Sequence, residues 1–546
     1  MKKNSKKNEN SEKEQELFWA DKLAQQITSR EKFHYTDKKV PKFDIFTVKT
    51  SASLSGILHI GRLSDTIRGE TVYRALKDAK AKAKLIWVAE DMDPLRKVPK
   101  NVPKEFEKYL GMAVTDVPDP DGSYKSYAER FKAEYFEVLD NFVAAKMEKF
   151  SMREEYKKGN FNKYIKQILE KADEVREIQN KYRTNKLAKG FIPWKPICEN
   201  CGKIVTTNVK EFSNGIVKYQ CKDYEFEATT AIGCGHKGEN DPLKGNGKLL
   251  WKSEWAAQWA HWKIASEGAG KEYQVPNSAW WVNAEIVERV LEFPMPQPIF
   301  YEHIMIDGEK MSASLGNVVY PKDWLEVASP ELLRFFYNKW LMKTRSFSWK
   351  DLPNFYDDYD AHMDVYLGKV KLDNKKEEQH MKRLFEISNN KDIVPAGITF
   401  AHAAMAAQIG PTDEDIIRSL EKTGHYDKKM HDVIFERVNK AKVWLERYAP
   451  EDVKFTVQEK VPKDLKISDK EKEALHLVVK ALKEKEWNEK DLFNEFYEIC
   501  KKSGIKNTDF FRAAYNVLLN KDRGPKLAPF IVALGKEKVI ELFEKV

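Results

Sequence analysis

The sequence predicts an α/β protein: a parallel sheet, interrupted by a metal-binding insertion and followed by an all-α region. Three observations predict it. Two β-prone apolar runs, Phe43 to Val48 and Ala83 to Ala89, flank a stretch with Leu58, Ile60, Leu63, Ile67, Val72 and Leu76 at helical spacing. Strand, helix, strand is a βαβ unit, the building block of a Rossmann-type sheet that binds ligands at the carboxyl ends of its strands. A cysteine cluster, Cys198, Cys201, Cys221 and Cys234, follows this unit. From about Leu352 onward strand signals are few and amphipathic helical patterns are many.

Composition sets the bounds. A chain of 546 residues implies several domains. The net charge of +9, from 94 basic and 85 acidic residues, permits a polyanionic partner without requiring one. Mean hydropathy of −0.63 and the lack of any run of about 18 apolar residues argue against a membrane protein. Residues 1–16 are rich in Lys, Asn, Glu and Ser and carry no apolar signal region, so they read as a disordered tail. Five cysteines in such a chain point to a reducing, cytoplasmic setting and a metal site rather than disulfides.

Taken in order, residues 16–27 read as an amphipathic helix, followed by the βαβ unit. The turn between its first strand and helix, Thr50 to Arg62, is rich in small and hydroxyl residues. A strand running into a helix N-terminus leaves backbone N–H groups free at the sheet edge, which suits a phosphate. His59 is expected in the first helical turn, where the helix dipole favours the neutral ring. Gly61 leaves room for a base or ribose. After the second strand come acidic residues, Glu90, Asp91 and Asp93, at a strand end. Residues 128–179 read as long helices inserted between two halves of the sheet. Cys198-Glu199-Asn200-Cys201 is a knuckle able to offer two thiolates. With Cys221 and Cys234 it makes a tetrahedral zinc set, and the competing set replaces Cys221 with His236. Trp251, Trp255, Trp259 and Trp262 recur at helical spacing and read mostly as core. Farther on, Asp307 to Asn317 reads as a loop whose Lys310 can neutralise a growing phosphate charge, with Ser312 and Ser314 holding the loop. In the helical region His402 reads as a core or surface histidine and Cys500 as a core thiol.

The His59-Ile60-Gly61 stretch and Lys310-Met311-Ser312-Ala313-Ser314, in that order and at that distance, resemble the paired signatures of class I aminoacyl-tRNA synthetases. Glu90 to Pro99, Pro118 to Gly122, Ser126 to Ala128, Tyr301 to Ile304 and Lys521 to Leu527 narrow the resemblance to the class I lysyl-tRNA synthetases, the mostly archaeal type. It runs from about Leu17 to the C-terminus. The resemblance implies ATP-dependent activation of L-lysine to lysyl-adenylate and transfer to the 3′ end of tRNA(Lys), with Mg²⁺ assisting and a structural Zn²⁺ in the insertion. It implies His59 and Lys310 as catalytic residues. ATP binding falls to Ser55, Gly56, His59, Gly61, Lys310, Met311, Ser312 and Ser314. Lysine binding falls to Ser51, Ser53, Asp91, Trp255, Tyr273 and Tyr301. Zinc binding falls to Cys198, Cys201, Cys221 and Cys234. The expected organisation is a tail (1–16), the first half of the catalytic domain (17–127), the connective insertion with the zinc site (128–245), the second half (246–305), the Lys310 loop and stem-contact region (306–355) and an α-helical anticodon-binding domain (356–546). The expected protein is a monomer. Ser51, Arg62, Tyr273 and Leu315 depart from the family pattern, which has Gly, Asn, His and Lys there. Two alternatives therefore stand beside this reading: a synthetase-like tRNA-binding protein without aminoacylation, and a class I enzyme for glutamate or arginine.

Overall fold

The computed structural model describes residues 17–54, 58–98, 102–311, 317–389 and 394–546. The chain forms two compact units. The first comprises Met1–Lys322, Leu333–Phe347 and Lys371–Asn390, and the second Asp323–Leu332, Ser348–Val370 and Lys391–Val546. Among the described residues no helix is long and apolar enough to cross a membrane.

The first unit opens with α1 (Trp19–Thr28), β1 (Phe46–Ser53), α2 (Ile60–Asp78) and β2 (Ala83–Glu90). β1 and β2 pair in parallel along their whole length, from Phe46 opposite Ala83 to Ser53 opposite Glu90. This is the βαβ unit read from the sequence. After α3 (Tyr127–Phe142) comes β3 (Met147–Ser151), then three short helices, α4 (Met152–Lys157), α5 (Asn162–Glu170) and α6 (Ala172–Lys181). The long inserted helices expected over 128–179 are therefore four shorter ones, and β3 between them joins the sheet beside β2. The expected boundary at 127/128 falls inside α3. β3 escapes notice in the sequence because it is a short edge strand with mixed exposure.

The insertion that follows is built from short antiparallel strands: β4 (Trp194–Pro196), β5 (Thr207–Ser213), β6 (Ile216–Cys221), β7 (Tyr224–Glu225), β8 (Thr230–Ala231), β9 (Lys237–Asn240) and β10 (Gly247–Leu249). α7 (Trp251–His261), β11 (Ile264–Gly270), α8 (Ala279–Arg289) and β12 (Gln297–Tyr301) complete the sheet, whose order is β12-β11-β1-β2-β3, parallel throughout. Trp255, Trp259 and Trp280 pack in the core behind β11. β13 (Ile304–Ile306), β14 (Glu309–Lys310) and β15 (Arg345–Phe347) form a separate small sheet, with α9 (Pro321–Val327) and α10 (Pro330–Asn338) lying between β14 and β15 in the chain.

The second unit contains α11 (Leu352–Tyr366), then α13 (Phe400–Ile409), α14 (Asp413–Lys422), α15 (His431–Arg447), α16 (Asp469–Glu484), α17 (Glu489–Ser503), α18 (Asn507–Leu519), α19 (Leu527–Leu534) and α20 (Lys536–Phe543). Its helix starts are written locally. Thr412 with Asp415, and Ser468 with Glu471, close reciprocal capping boxes at α14 and α16. Leu475, Val478, Phe496, Leu518 and Phe530 share its core, and Cys500 is buried there as a thiol.

The intervening helix α12 (Lys375–Ser388) belongs to the first unit, not to the helical domain expected from residue 356. Arg383 of α12 pairs with Asp21 at 2.7 Å and Asp78 at 2.8 Å. Arg74 of α2 donates to the Ile387 carbonyl at 2.8 Å. These partners lie about 300 residues away in sequence, beyond what spacing can predict.

Candidate active site

A cleft of about 400 Å³ opens where β1, β11 and β12 end. Ser51, Ser53, His59, Gly61, Trp255, Tyr273, Tyr301, Lys310 and Met311 all line it. The early and late stretches meet there. The Ile60 N–H donates to the Val319 carbonyl at 2.9 Å, and the Tyr337 hydroxyl donates to the Ile60 carbonyl at 2.6 Å. Met311 reaches across to the helix start. A Cβ at Gly61 would stand 2.8 Å from the Met311 methyl and 2.9 Å from His59 Nδ1, so any side chain here would force Met311 or the His59 ring to move. Ser55, Gly56, Ser312 and Ser314, and with them Leu315, lie outside the described residues.

His59 is the residue before the helix rather than in its first turn. Its backbone is extended, with φ −113° and ψ 163°, and α2 begins at Ile60. Burial, and then the charge of Arg62, lower its pKa to about 4, so the ring is neutral at pH 7. Its Nδ1 is buried and has no hydrogen-bond partner among the described residues. Arg62 turns back to donate to the Ser53 carbonyl at 2.7 Å.

The far wall is aromatic and acidic. Trp251 stacks on Trp255 at 4.8 Å, and Tyr273 meets Trp255 edge-on at 5.2 Å. Trp255 is fixed from behind. Its indole N–H and that of Trp259 both donate to Glu267 Oε2, at 3.0 and 2.5 Å. The other Glu267 oxygen takes the ammonium of fully buried Lys49 at 2.5 Å, and Glu90 lies 3.5 Å from the same ammonium. Beside them, Asp65 of α2 accepts the Ser51 N–H at 3.1 Å, and the Tyr301 hydroxyl stands 3.5 Å from its carboxylate. Burial and the Glu267 charge raise Asp65 to a pKa of about 7, against the pull of the Ser51 N–H, Lys49 and Arg68. Arg68 lies over the Tyr301 ring at 4.7 Å. Tyr273 stands where the family pattern has His, yet an imidazole is still on the wall: His303 Nε2 is 3.0 Å from Glu272.

Asp91 is not brought to this cleft. It is fully buried, accepts the Ser151 hydroxyl at 2.5 Å and the Arg153 N–H at 2.9 Å, and lies 3.7 Å from Lys132. A carboxylate that satisfies a helix start from the strand next door is a structural fastener. The cleft carboxylates are instead Asp65, Glu267 and Glu272. The sequence held one signal for Asp65. It lies four residues after Gly61 and so on the same face of α2, in a helix that also buries Arg68 and Glu70.

In the insertion, one sulfur from each of Cys198, Cys201, Cys221 and Cys234 lies within 4.8 Å of the others. Cys198 and Cys234 are 3.6 Å apart, and Cys201 and Cys221 3.7 Å apart. His236 points elsewhere, to Glu199 at 2.7 Å, so the geometry favours the all-cysteine set. Among the described residues, the apolar cluster packed directly on the sulfurs is small, Cys198, Tyr219 and Cys221 with Cys201 against them. So small a core suits a metal-stapled fold.

The sequence model described as tRNA synthetases class I (K) matches residues 17–391, and that of an anticodon binding domain matches residues 433–545. The lysine–tRNA ligase of Thermococcus kodakarensis is 34% identical, over 96% of this chain and 99% of its own. That of Pyrococcus horikoshii is 32% identical over the same shares, and that of Methanosphaera stadtmanae 30%, over 96% of this chain and 98% of its own.

Proposed function

The chain belongs to the class I (K) tRNA synthetases, and from that premise we propose that it is a lysine–tRNA ligase. The reaction activates L-lysine with ATP and passes the lysyl group to the 3′ end of tRNA. The observation that supports this reading is the single cleft lined by both His59 and Lys310.

In the first step a lysine carboxylate oxygen attacks the α-phosphorus in line. The bond from that phosphorus to the bridging oxygen breaks, and pyrophosphate leaves. Such a step needs alignment and charge stabilisation rather than a protein nucleophile. Neutral His59 donates one hydrogen bond to a phosphoryl oxygen, and Lys310 offsets the charge growing on pyrophosphate. Lysine lies along Trp255 and Tyr273, whose faces suit an aliphatic stem. Its ammonium is received by Asp65 with Tyr301. Asp65 ionises as that cation arrives, because an opposite charge at close range outweighs the burial that holds its pKa up.

The cleft does not fit a protein-held Mg²⁺. Glu267 is committed to Lys49 and two indoles and Glu272 to His303, and Asp65 is taken by the substrate ammonium. Triphosphate oxygens, which Mg²⁺ prefers, would hold such an ion instead. The four cysteines fit Zn²⁺ with no open position, in a structural role.

Lysine-dependent ATP–pyrophosphate exchange tests the proposal. Exchange with lysine alone is expected, and Lys310→Ala should lower it ~10²- to 10³-fold while tRNA binding stays near wild type. Exchange only with glutamate or arginine, or none at all in folded protein that still binds tRNA, overturns the proposal.

A further inference from the structure

A second cluster of metal-type donors lies in the helical unit, far in sequence from the cysteines. His402 is on α13, His425 sits just past the end of α14, and Glu489 is the first residue of α17. One donor atom from each lies within 4.8 Å of the others. His402 Nδ1 is 4.0 Å from Glu489 Oε1, and the two imidazole rings are 4.2 Å apart at 45°. His425 Nδ1 and Glu489 Oε1 are both buried without a hydrogen-bond partner among the described residues. Orphaned polar atoms converging from separate segments cost stability unless something binds between them.

The neighbour of His402 fixes its tautomer. The Thr423 hydroxyl donates its proton to the Ser419 or Leu420 carbonyl, at 3.3 and 3.2 Å. Its oxygen is then the acceptor for His402 Nε2–H at 3.2 Å. The neutral ring therefore turns the bare Nδ1 lone pair toward the Glu489 carboxylate, and the two repel. A proton on Nδ1 would relieve that one contact but leave the buried His425 Nδ1 without a partner. A cation held by all three relieves the whole cluster. An outer N–H anchored to a hydroxyl is also what a metal-ligating histidine carries.

We propose that His402, His425 and Glu489 bind one divalent transition-metal ion, Zn²⁺ by donor type, which ties α13, the end of α14 and α17 together. Two imidazoles and a carboxylate are a zinc donor set that leaves a fourth position for water. The side chain of Glu489 is 32% exposed, which leaves that position reachable from solvent. Tetrahedral bonds of ~2.0–2.2 Å put donors ~3.4 Å apart. The 4.0 Å contact thus needs to close by roughly half an ångström.

The test uses the full-length chain, stripped with a chelator, reloaded with zinc chloride and dialysed, with bound zinc counted by mass spectrometry. His425→Asn and Glu489→Gln keep side-chain shape and remove a donor. Each should hold one equivalent fewer than wild type. Zinc should also raise the melting temperature of the helical unit in wild type and leave it unmoved in both variants. Equal zinc counts in wild type and both variants overturn the proposal. So does a zinc-induced rise in melting temperature of the same size in all three. A variant that does not fold shows as lost helical circular dichroism, and the other variant then decides between these outcomes.

Discussion

The Lys49→Met substitution probes what holds the aromatic wall of the cleft in place. Methionine keeps the stem and removes the charge. In the native protein that charge is fully buried, 2.5 Å from Glu267 and 3.5 Å from Glu90. Burial raises Glu90 to a pKa of about 8, so the close partner of the Lys49 ammonium is Glu267, at 2.5 Å. Removing one partner of a buried pair costs ~3–5 kcal/mol, because the other charge is left uncompensated. At a urea dependence of ~2 kcal/mol per molar, the unfolding transition of the sheet unit should drop by roughly 1.5–2.5 M. Without the Lys49 ammonium nothing fixes the carboxylate that holds the two indoles, so the KM for lysine in exchange should rise as Trp255 loosens. Lys49→Met/Glu267→Gln removes both charges and should recover more than half of the lost stability. Urea melts followed by circular dichroism measure this. A single variant within ~1 kcal/mol of wild type, below the range for a broken buried pair, refutes the reasoning. A double variant no better than the single one refutes it equally.

Four further outcomes follow from the same geometry. Glu90 has a folded pKa raised to about 8 from an ordinary 4.5. Its contribution is thus fully present below pH 4.5 and is lost as pH rises through 8, where the folded state must ionise a buried acid. Glu90→Gln should flatten that loss in stability measured from about pH 5 to 8, and an unchanged slope counts against the assignment. Asp65→Asn should raise the KM for lysine ~10-fold or more, as expected for a hydrogen bond to a charged group. Asp91→Asn should lower stability and leave that KM within about twofold, since its partners are Ser151 and Arg153 rather than substrate; if Asp91→Asn moves KM and Asp65→Asn does not, the pocket is assigned wrongly. Cys201→Ser, or removal of bound metal by a chelator, should expose residues 198–240 to limited proteolysis while the sheet unit stays protected. Equal protection with and without metal would remove the structural role for the ion.

What the sequence made legible was periodic or local. The βαβ unit, the cysteine knuckle and the capped helices of the second unit each declare themselves locally, through apolar spacing, a C-x-x-C pair or an S/T-x-x-D/E start. The meeting of the His59 and Lys310 stretches was legible only as a paired motif. What was not legible depends on partners far away in the chain. β3 is a strand because β2 presents an open edge to it, and α12 joins the first unit because Arg383 finds Asp21 and Asp78. Neither fact is carried by the residues of β3 or α12 alone.

The acidic residues show the same division. A cluster of carboxylates at a strand end invites assignment to a ligand, and Asp91 stands in such a cluster. Its depth decides otherwise. A fully buried carboxylate already holding a hydroxyl and a helix N–H has no oxygen to spare without breaking the turn it fastens. Asp65, inside a helix and flanked by polar residues, carries no such flag. It is raised to about pKa 7 beside the cleft, where a cation binding to it gains both an ion pair and the ionisation that burial withheld. The useful acid is the one that is strained and reachable, and only packing makes an acid both.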